Sequence, residues 1–317
     1  MNILVTGAWQ GFWECEEELE KAGHRTAFLQ WEKDELPVEA DWVEGIIGNG
    51  IFLSHPIEKF TNLRYIQLTS AGYDRVPMEY VEACGIEIHN AGGVYSIPMA
   101  EFAVGCVLQL FKQLPVFEDS QKKHQWKKIR TLRELAGSTV CIIGCGSVGT
   151  ECAKRFRAFG CTVIGINRSK KENPYFDHIG RLSELDQRIT EADIVILTLP
   201  LTDESRGLIG REQIRMMKKD AVLVNISRGG VMDYDEFIEL KQGERKDLQA
   251  VFDVFETEPL EETSPLWEMP GVIVTPHNSF RGEGNQRRLN QVILENLKGI
   301  YLGDIHGDKR IQRDAAE

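Results

Sequence analysis

No run in the 317 residues is apolar for long enough to cross a bilayer, which takes about 20 in a row. The longest candidate, near 96–111, contains Glu101 and Gln109 and is followed by Lys112, so it reads as a buried or interface helix. Positive charge is scarce too. Lys and Arg number 37 against 49 Asp and Glu, a formal net charge of −12, whereas a nucleic-acid partner would demand a basic field. A small anionic ligand would need a local cation to overcome that background. The seven cysteines include no Cys-x-x-Cys pair and several lie inside apolar runs. Reduced, packed thiols are therefore expected, with neither disulfides nor a metal site. No charged leader precedes NILVTG at the start, and no repeat or low-complexity tract follows. These absences point to a cytoplasmic protein without a membrane partner. The length suggests about two domains, and the polar tail after Gly303 is expected to fray.

What is present is an alternation of short apolar runs with helical segments. ILVTG (3–7), WVEGIIG (42–48), YIQLTS (65–70) and IEIHN (86–90) read as strands, with a helix over 16–24 closed by Gly23. After a helix over 96–113 and a basic stretch (121–130), the pattern resumes. TVCIIG (139–144), TVIGIN (162–167), DIVILTLP (193–200), AVLVNIS (221–227), LQAVFDVF (248–255) and GVIVTP (271–276) are strand candidates, and 285–303 is an amphipathic helix. Such alternation predicts an α/β fold of two doubly wound parallel sheets. The first domain would take residues 1–95 plus 284–317, the last helix packing back on it, and the second would take 96–283.

The second domain carries Gly144, Gly146 and Gly149 in G-x-G-x-x-G spacing, between an apolar strand and an amphipathic helix. In a dinucleotide site the first glycine makes the tight turn, the second admits the pyrophosphate and the third lets helix and strand pack closely. The pyrophosphate would meet the helix N-terminus at Ser147 and Val148. ILVTG near the N-terminus lacks the second and third glycines and is read as an ordinary first strand. The strand after the glycine-loop helix ends in INRSKK, where Asn167 stands 167 − 149 = 18 positions beyond Gly149. An acid that holds the ribose is expected at about 20 residues. No acid is there, so the repulsion that excludes a 2′-phosphate is missing. Arg168, Ser169, Lys170 and Lys171 can supply charge and hydrogen bonds, although Arg168 alone decides little. NADP(H) is favoured over NAD(H).

Three more strand ends carry chemistry. Arg228 precedes a Gly-Gly turn in NISRGGVMD (225–233). Asp253, Glu256 and Glu258 lie in FDVFETEPL (252–260), and His277 lies in VIVTPHNSF (272–280). A nicotinamide enzyme acting on a 2-keto acid needs a bidentate cation for the carboxylate, an acid for the developing alkoxide, and a partner for that acid.

Those blocks, with LTSAGYDRV (68–76), LPLTDESRGLIG (199–210), SPLW (264–267) and TPHNS (275–279), resemble the D-isomer-specific 2-hydroxyacid dehydrogenases over nearly the whole chain. The resemblance implies a flavodoxin-like substrate domain beside a Rossmann dinucleotide-binding domain, with the active site in the cleft between them. It implies a catalytic Arg228, Glu258 and His277. His277 donates the proton, Glu258 supports its charged form, and Arg228 pairs the substrate carboxylate. It assigns Ser70, Ala71 and Gly72 to a loop whose backbone N–H groups hold that carboxylate. Leu199, Pro200 and Thr202 would line the adenine side, and Ile226, Arg228 and Asp253 the nicotinamide. For Asp253, a strand-end cap is the competing reading. The 96–113 helix resembles a dimerisation arm, so a homodimer is expected, the alternative being an internal packing helix.

The family pattern Asn-x6-Val-Ala-Glu is not kept in NAGGVYSIPMAE (90–101). Tyr95 and Pro98 fall near the expected cleft mouth, while Glu101 is kept as a structural residue. Formate dehydrogenases of the superfamily carry Gln where Glu258 stands, which speaks against that activity. The chain is too short for the regulatory C-terminal domain of longer members, and no amino-acid-sensing module is expected. A small 2-keto or D-2-hydroxy acid is the expected substrate, of the glyoxylate, hydroxypyruvate or phosphohydroxypyruvate type. Alternatives are a phosphite dehydrogenase-like oxidoreductase or a dinucleotide-sensing, corepressor-like binding protein.

Overall fold

The computed structural model describes residues 1–169 and 172–303. Lys170, Lys171 and the tail beyond Gly303 lie outside the described residues. Among the described residues the chain divides into two compact units, Met1–Tyr95 with Gly282–Gly303, and Ser96–Arg281.

In the first unit the apolar runs form β1 (Asn2–Thr6), β2 (Arg25–Leu29), β3 (Gly45–Gly48), β4 (Tyr65–Leu68) and β5 (Glu87–His89), with helices α1 (Phe12–Lys21) and α2 (Met78–Cys84). The sheet is parallel in the order β2-β1-β3-β4-β5, the flavodoxin-like order. Every residue of β3 and β4 is buried, as in strands covered on both faces. The strand read over 42–48 is shorter, because Ala40–Trp42 turns as a 3-10 helix. The crevice at the ends of β1 and β3, where strand order reverses, is filled by the chain's own Glu32. Its carboxylate accepts from the Thr6 hydroxyl (2.9 Å) and from the N–H groups of Asn49 (2.6 Å) and Gly50 (2.7 Å).

The second unit opens with α3 (Ser96–Phe111) and α4 (Leu114–Lys122), then alternates β6 (Thr139–Ile143), α5 (Ser147–Ala158), β7 (Thr162–Asn167), β8 (His178–Arg181), α6 (Leu185–Glu191), β9 (Ile194–Leu197), α7 (Arg211–Met216), β10 (Val222–Asn225), α8 (Tyr234–Gln242), β11 (Gln249–Phe252) and β12 (Val272–Val274). The seven strands run parallel in the order β12-β11-β10-β9-β6-β7-β8. The order reverses between β6 and β9, which is the dinucleotide-binding arrangement. Val140, Phe156 and Val224 build the core on one face, and Leu223, Phe237 and Phe252 on the other.

Much of the apolar run in α3 is covered within its own unit. Its Ala103, Val104, Val107, Leu110 and Phe111 are buried within the unit itself. They pack with Ala153 and Phe156 of α5, while Met99, Phe102 and Leu108 are partly buried. Glu101 pairs with Arg155 of α5 at 3.1 Å. No single helix among the described residues is long and apolar enough to cross a membrane; α3 and α4 pass that test only together, and are bent by 62°. Six cysteines are buried and Cys84 is exposed. Burial pushes the thiols of Cys141, Cys145 and Cys152 up to about 12, which leaves them unreactive packing groups.

The final helix, α9 (Asn285–Gly303), returns to the first unit, where Leu289, Ile293 and Leu297 meet Trp9, Phe12 and Leu19. Ile293 is 0% exposed. Ile293→Ala is expected to destabilise this unit by about 2–5 kcal/mol, read as a lowered denaturation midpoint.

Candidate active site

The carboxyl ends of β6, β7 and β9 surround the N-terminus of α5. Gly144 leaves β6 with φ of 101°, and a Cβ there would lie 2.8 Å from the backbone N of Leu199. Glycine is therefore required by conformation and by space. A Cβ on Gly149 would lie 2.0 Å from the carbonyl oxygen of Gly144, so loop and helix touch backbone to backbone. Gly146 caps α5, whose first turn, beginning Ser147-Val148, carries N–H groups without intrahelical acceptors. Beside it lies a groove of about 740 Å³, counting its open mouth. Gly144, Gly146, Asn167, Arg168 and Ser169 line it, as do Leu199, Pro200 and Thr202. This set fits a dinucleotide: a glycine turn, a helix N-terminus and an apolar wall.

Several contributors escaped sequence reasoning. Thr198 clamps the loop, its hydroxyl donating to the carbonyl of Gly144 at 2.6 Å. Its signal was its place at the end of β9. Ser205, 5% exposed, donates to Pro200 O and accepts from Thr202 N–H, both at 2.7 Å. Leu182, which begins a 3-10 helix after β8, and Glu204 and Leu208 also line the walls. Asn167 faces the loop: its Oδ1 accepts from Cys145 N–H at 3.3 Å and its Nδ2 donates to Ser169 O at 3.1 Å. Arg168 and Ser169 are exposed.

The ends of β10, β11 and β12 carry the other expected residues. His277 Nδ1 lies 2.9 Å from Glu258 Oε2, with both side chains over a third exposed. A carboxylate accepts only, so Nδ1 carries the proton and Nε2 is the outward nitrogen. Glu258 Oε1 accepts from Phe255 N–H at 2.9 Å, which fixes the carboxylate from its other side. Arg228 follows β10, its guanidinium donating to Ser227 O at 2.8 Å. Its loop is held by Asn225, whose amide donates to Arg228 O (3.1 Å) and to the Tyr234 hydroxyl (3.0 Å); that hydroxyl in turn donates to Val254 O. Gly229 locks the loop against the next strand's extension, since a Cβ there would lie 2.0 Å from the carbonyl carbon of Phe255.

Two residues expected beside the nicotinamide, Asp253 and Ile226, are buried. Asp253 is 0% exposed and its carboxylate is committed to the His277 loop. It accepts from the Thr275 hydroxyl (2.6 Å), Asn278 N–H (2.8 Å) and Ser279 N–H (2.9 Å). It caps that loop. Ile226 is 1% exposed and its side chain packs in the core. The turn Ser70-Ala71-Gly72 belongs to the first unit, directly after β4, with Ala71 exposed.

Residues 104–279, more than half the chain, match the family described as D-isomer specific 2-hydroxyacid dehydrogenase, NAD binding domain. The chain is 35% identical over 78% of its length to a D-3-phosphoglycerate dehydrogenase of Methanocaldococcus jannaschii, covering 48% of that protein. It is 31% identical over 77% of its length to a glyoxylate reductase of Aeropyrum pernix, covering 75% of that one. Thus the chain spans about half the length of the phosphoglycerate dehydrogenases it matches. Among solved structures it resembles a family member from Xanthobacter autotrophicus in complex with NADPH (26% identity, TM-score 0.76, 95% of each chain covered). It also resembles a D-lactate dehydrogenase of Aquifex aeolicus complexed with NAD and lactic acid (25% identity, TM-score 0.76, 96% of each chain). The chain belongs to the D-isomer-specific 2-hydroxyacid dehydrogenase family.

Asp253→Ala leaves three donors of the His277 loop without their acceptor. A loss of about 3 kcal/mol or more is expected, measured by chemical denaturation, with the amide resonances of 275–279 shifted most.

Proposed function

We propose that the protein is an NAD(P)-dependent D-2-hydroxyacid dehydrogenase that reduces a small 2-keto acid of the glyoxylate or hydroxypyruvate type. The Glu258–His277 hydrogen bond, on the same sheet edge as the glycine loop, carries the reading. A bound nicotinamide dinucleotide supplies the hydride to C2 of the acid. Arg228 pairs the carboxylate with its planar fork and polarises the adjacent carbonyl. His277 delivers its Nε2 proton to the carbonyl oxygen, while Glu258 keeps the ring's orientation and tautomer. The Ser70-Ala71-Gly72 turn receives the carboxylate through its N–H groups.

NADP(H) is the proposed cofactor. Asn167 contributes no negative charge, and Arg168 and Ser169 line the groove, where a 2′-phosphate can take charge-assisted hydrogen bonds. A homodimer through the 96–113 region belongs to the same reading, with exposed Leu114 and Val116 in the helix that follows. A mass near 36 kDa by sedimentation, that of one chain, would contradict it.

Initial rates with NADPH and NADH on glyoxylate, hydroxypyruvate, phosphohydroxypyruvate and pyruvate test the whole. His277→Ala is expected to lower kcat by about 10²–10⁴-fold with cofactor binding retained. Arg228→Lys is expected to raise KM for the acid, because a point charge replaces a fork. Cofactor binding without turnover on any acid would favour a dinucleotide-sensing protein. Asn167→Asp is expected to cut kcat/KM for NADPH by about tenfold and to spare NADH. Equal losses with both cofactors would defeat the NADP(H) assignment.

A further inference from the structure

The turn after β4 is held from behind. Three consecutive carbonyl oxygens, of Thr69, Ser70 and Ala71, each accept a hydrogen bond from the segment 90–95. The Tyr95 hydroxyl donates to Thr69 O. Ala91 N–H donates to Ser70 O at 2.9 Å, and the Asn90 side-chain amide to Ala71 O at 2.8 Å. The segment is firmly seated. Ala91 and Val94 are 0% and 1% exposed in the core around Trp9 and Phe12, against which the Tyr95 ring also packs. Arg288 of α9 donates from Nε to Val94 O at 2.7 Å. Asn90 Oδ1 accepts from Gly92 N–H at 3.0 Å, which sets the direction of its amide.

In a trans peptide, the carbonyl of one residue and the N–H of the next point in opposite directions. Among the described residues the only cis bond is Glu258–Pro259. Fixing three successive carbonyls toward 90–95 therefore fixes the N–H groups of Ser70, Ala71 and Gly72 away from it. Successive N–H groups held in this way form the kind of concavity that receives an anion. One of the three restraints is a backbone group that no side-chain change removes. The other two are side-chain donors, and Tyr95 stands in the stretch where the family pattern is not kept.

We propose that Tyr95 and Asn90 are positioning residues that set the direction of the N–H groups receiving the substrate carboxylate. The proposal rests on the reading that the 70–72 turn binds that carboxylate. Tyr95 and Asn90 touch neither substrate nor cofactor; they act through the turn. Their loss weakens acid binding and leaves the proton and hydride steps alone.

The test compares the wild type with Tyr95→Phe and Asn90→Ala, using glyoxylate kinetics, NADPH affinity, melting temperature, and calorimetric binding of oxalate to the NADPH-bound enzyme. Losing one such hydrogen bond is expected to raise the KM for glyoxylate and the Kd for oxalate by about three- to tenfold. The kcat and the NADPH affinity should change less than twofold. A merely structural role would lower the melting temperature without that split. An unchanged KM and oxalate Kd in both variants, with the wild type active, overturns the positioning role and leaves the dehydrogenase reading standing. A wild type that reduces none of the acids overturns both.

Discussion

The buried carboxylate of Asp253 organises the sheet edge of the second unit that carries Arg228, Glu258 and His277. A carboxyl group with no exposed surface is tolerated only when its oxygens are supplied with donors. Here the donors come from one loop, the hydroxyl of Thr275 and the N–H groups of Asn278 and Ser279, while the backbone oxygen of Asp253 takes His277 N–H at 2.8 Å. Four hydrogen bonds to one residue force the loop into a tight wrap. The consequence is visible at His277, whose φ of 49° lies in the left-handed region. Such a conformation costs a non-glycine residue about 1–2 kcal/mol. The Asp253 bonds offset that cost and direct the imidazole toward Glu258.

Backbone contact then ties the other two residues to this loop. Gly229 presses on the main chain at Phe255 and Glu256, and Phe255 donates its N–H to Glu258. The loop bearing Arg228 and the segment bearing Glu258 can therefore shift only together. Because all seven strands are parallel, their carboxyl ends share one edge. The topology alone sets Arg228, Glu258 and His277 on the same edge as the glycine loop, although they are far apart in sequence. Side-chain locks such as Asn225 with Tyr234, and Thr198 on Gly144, convert that coarse placement into a defined geometry.

This division explains what could be read in advance. Central strands buried on both faces appear as apolar runs, so β6, β9, β10 and β11 were legible, and the glycine spacing between β6 and α5 was decisive. The strands that escaped notice, β2 (RTAFL, only Leu29 fully buried) and β8 (HIGR), lie at sheet edges, where one side of the ladder and part of a face meet solvent. Their composition carries no alternation strong enough to separate them from loops. The α3 run is ambiguous for a different reason. Hydrophobicity records that a face is covered but not by what, and here α5 covers it. Asp253 could be read equally as cap or cofactor contact, because inward and outward carboxylates look alike until the partners 22–26 positions away are in place.

Asn167 shows how one position in the groove can answer to two demands at once. An aspartate there could still accept from Cys145 N–H, but it could not donate to Ser169 O. The amide does both, and so joins the end of β7 to the glycine loop on one side and to the turn of 168–169 on the other. Residue choice at this point therefore sets the position of Arg168 and Ser169 as well as the local charge. A neutral residue lacking either function, such as alanine, would remove the same negative charge and still leave the groove wall unheld. At this corner of the groove the Asn167 amide therefore sets local geometry as well as local charge.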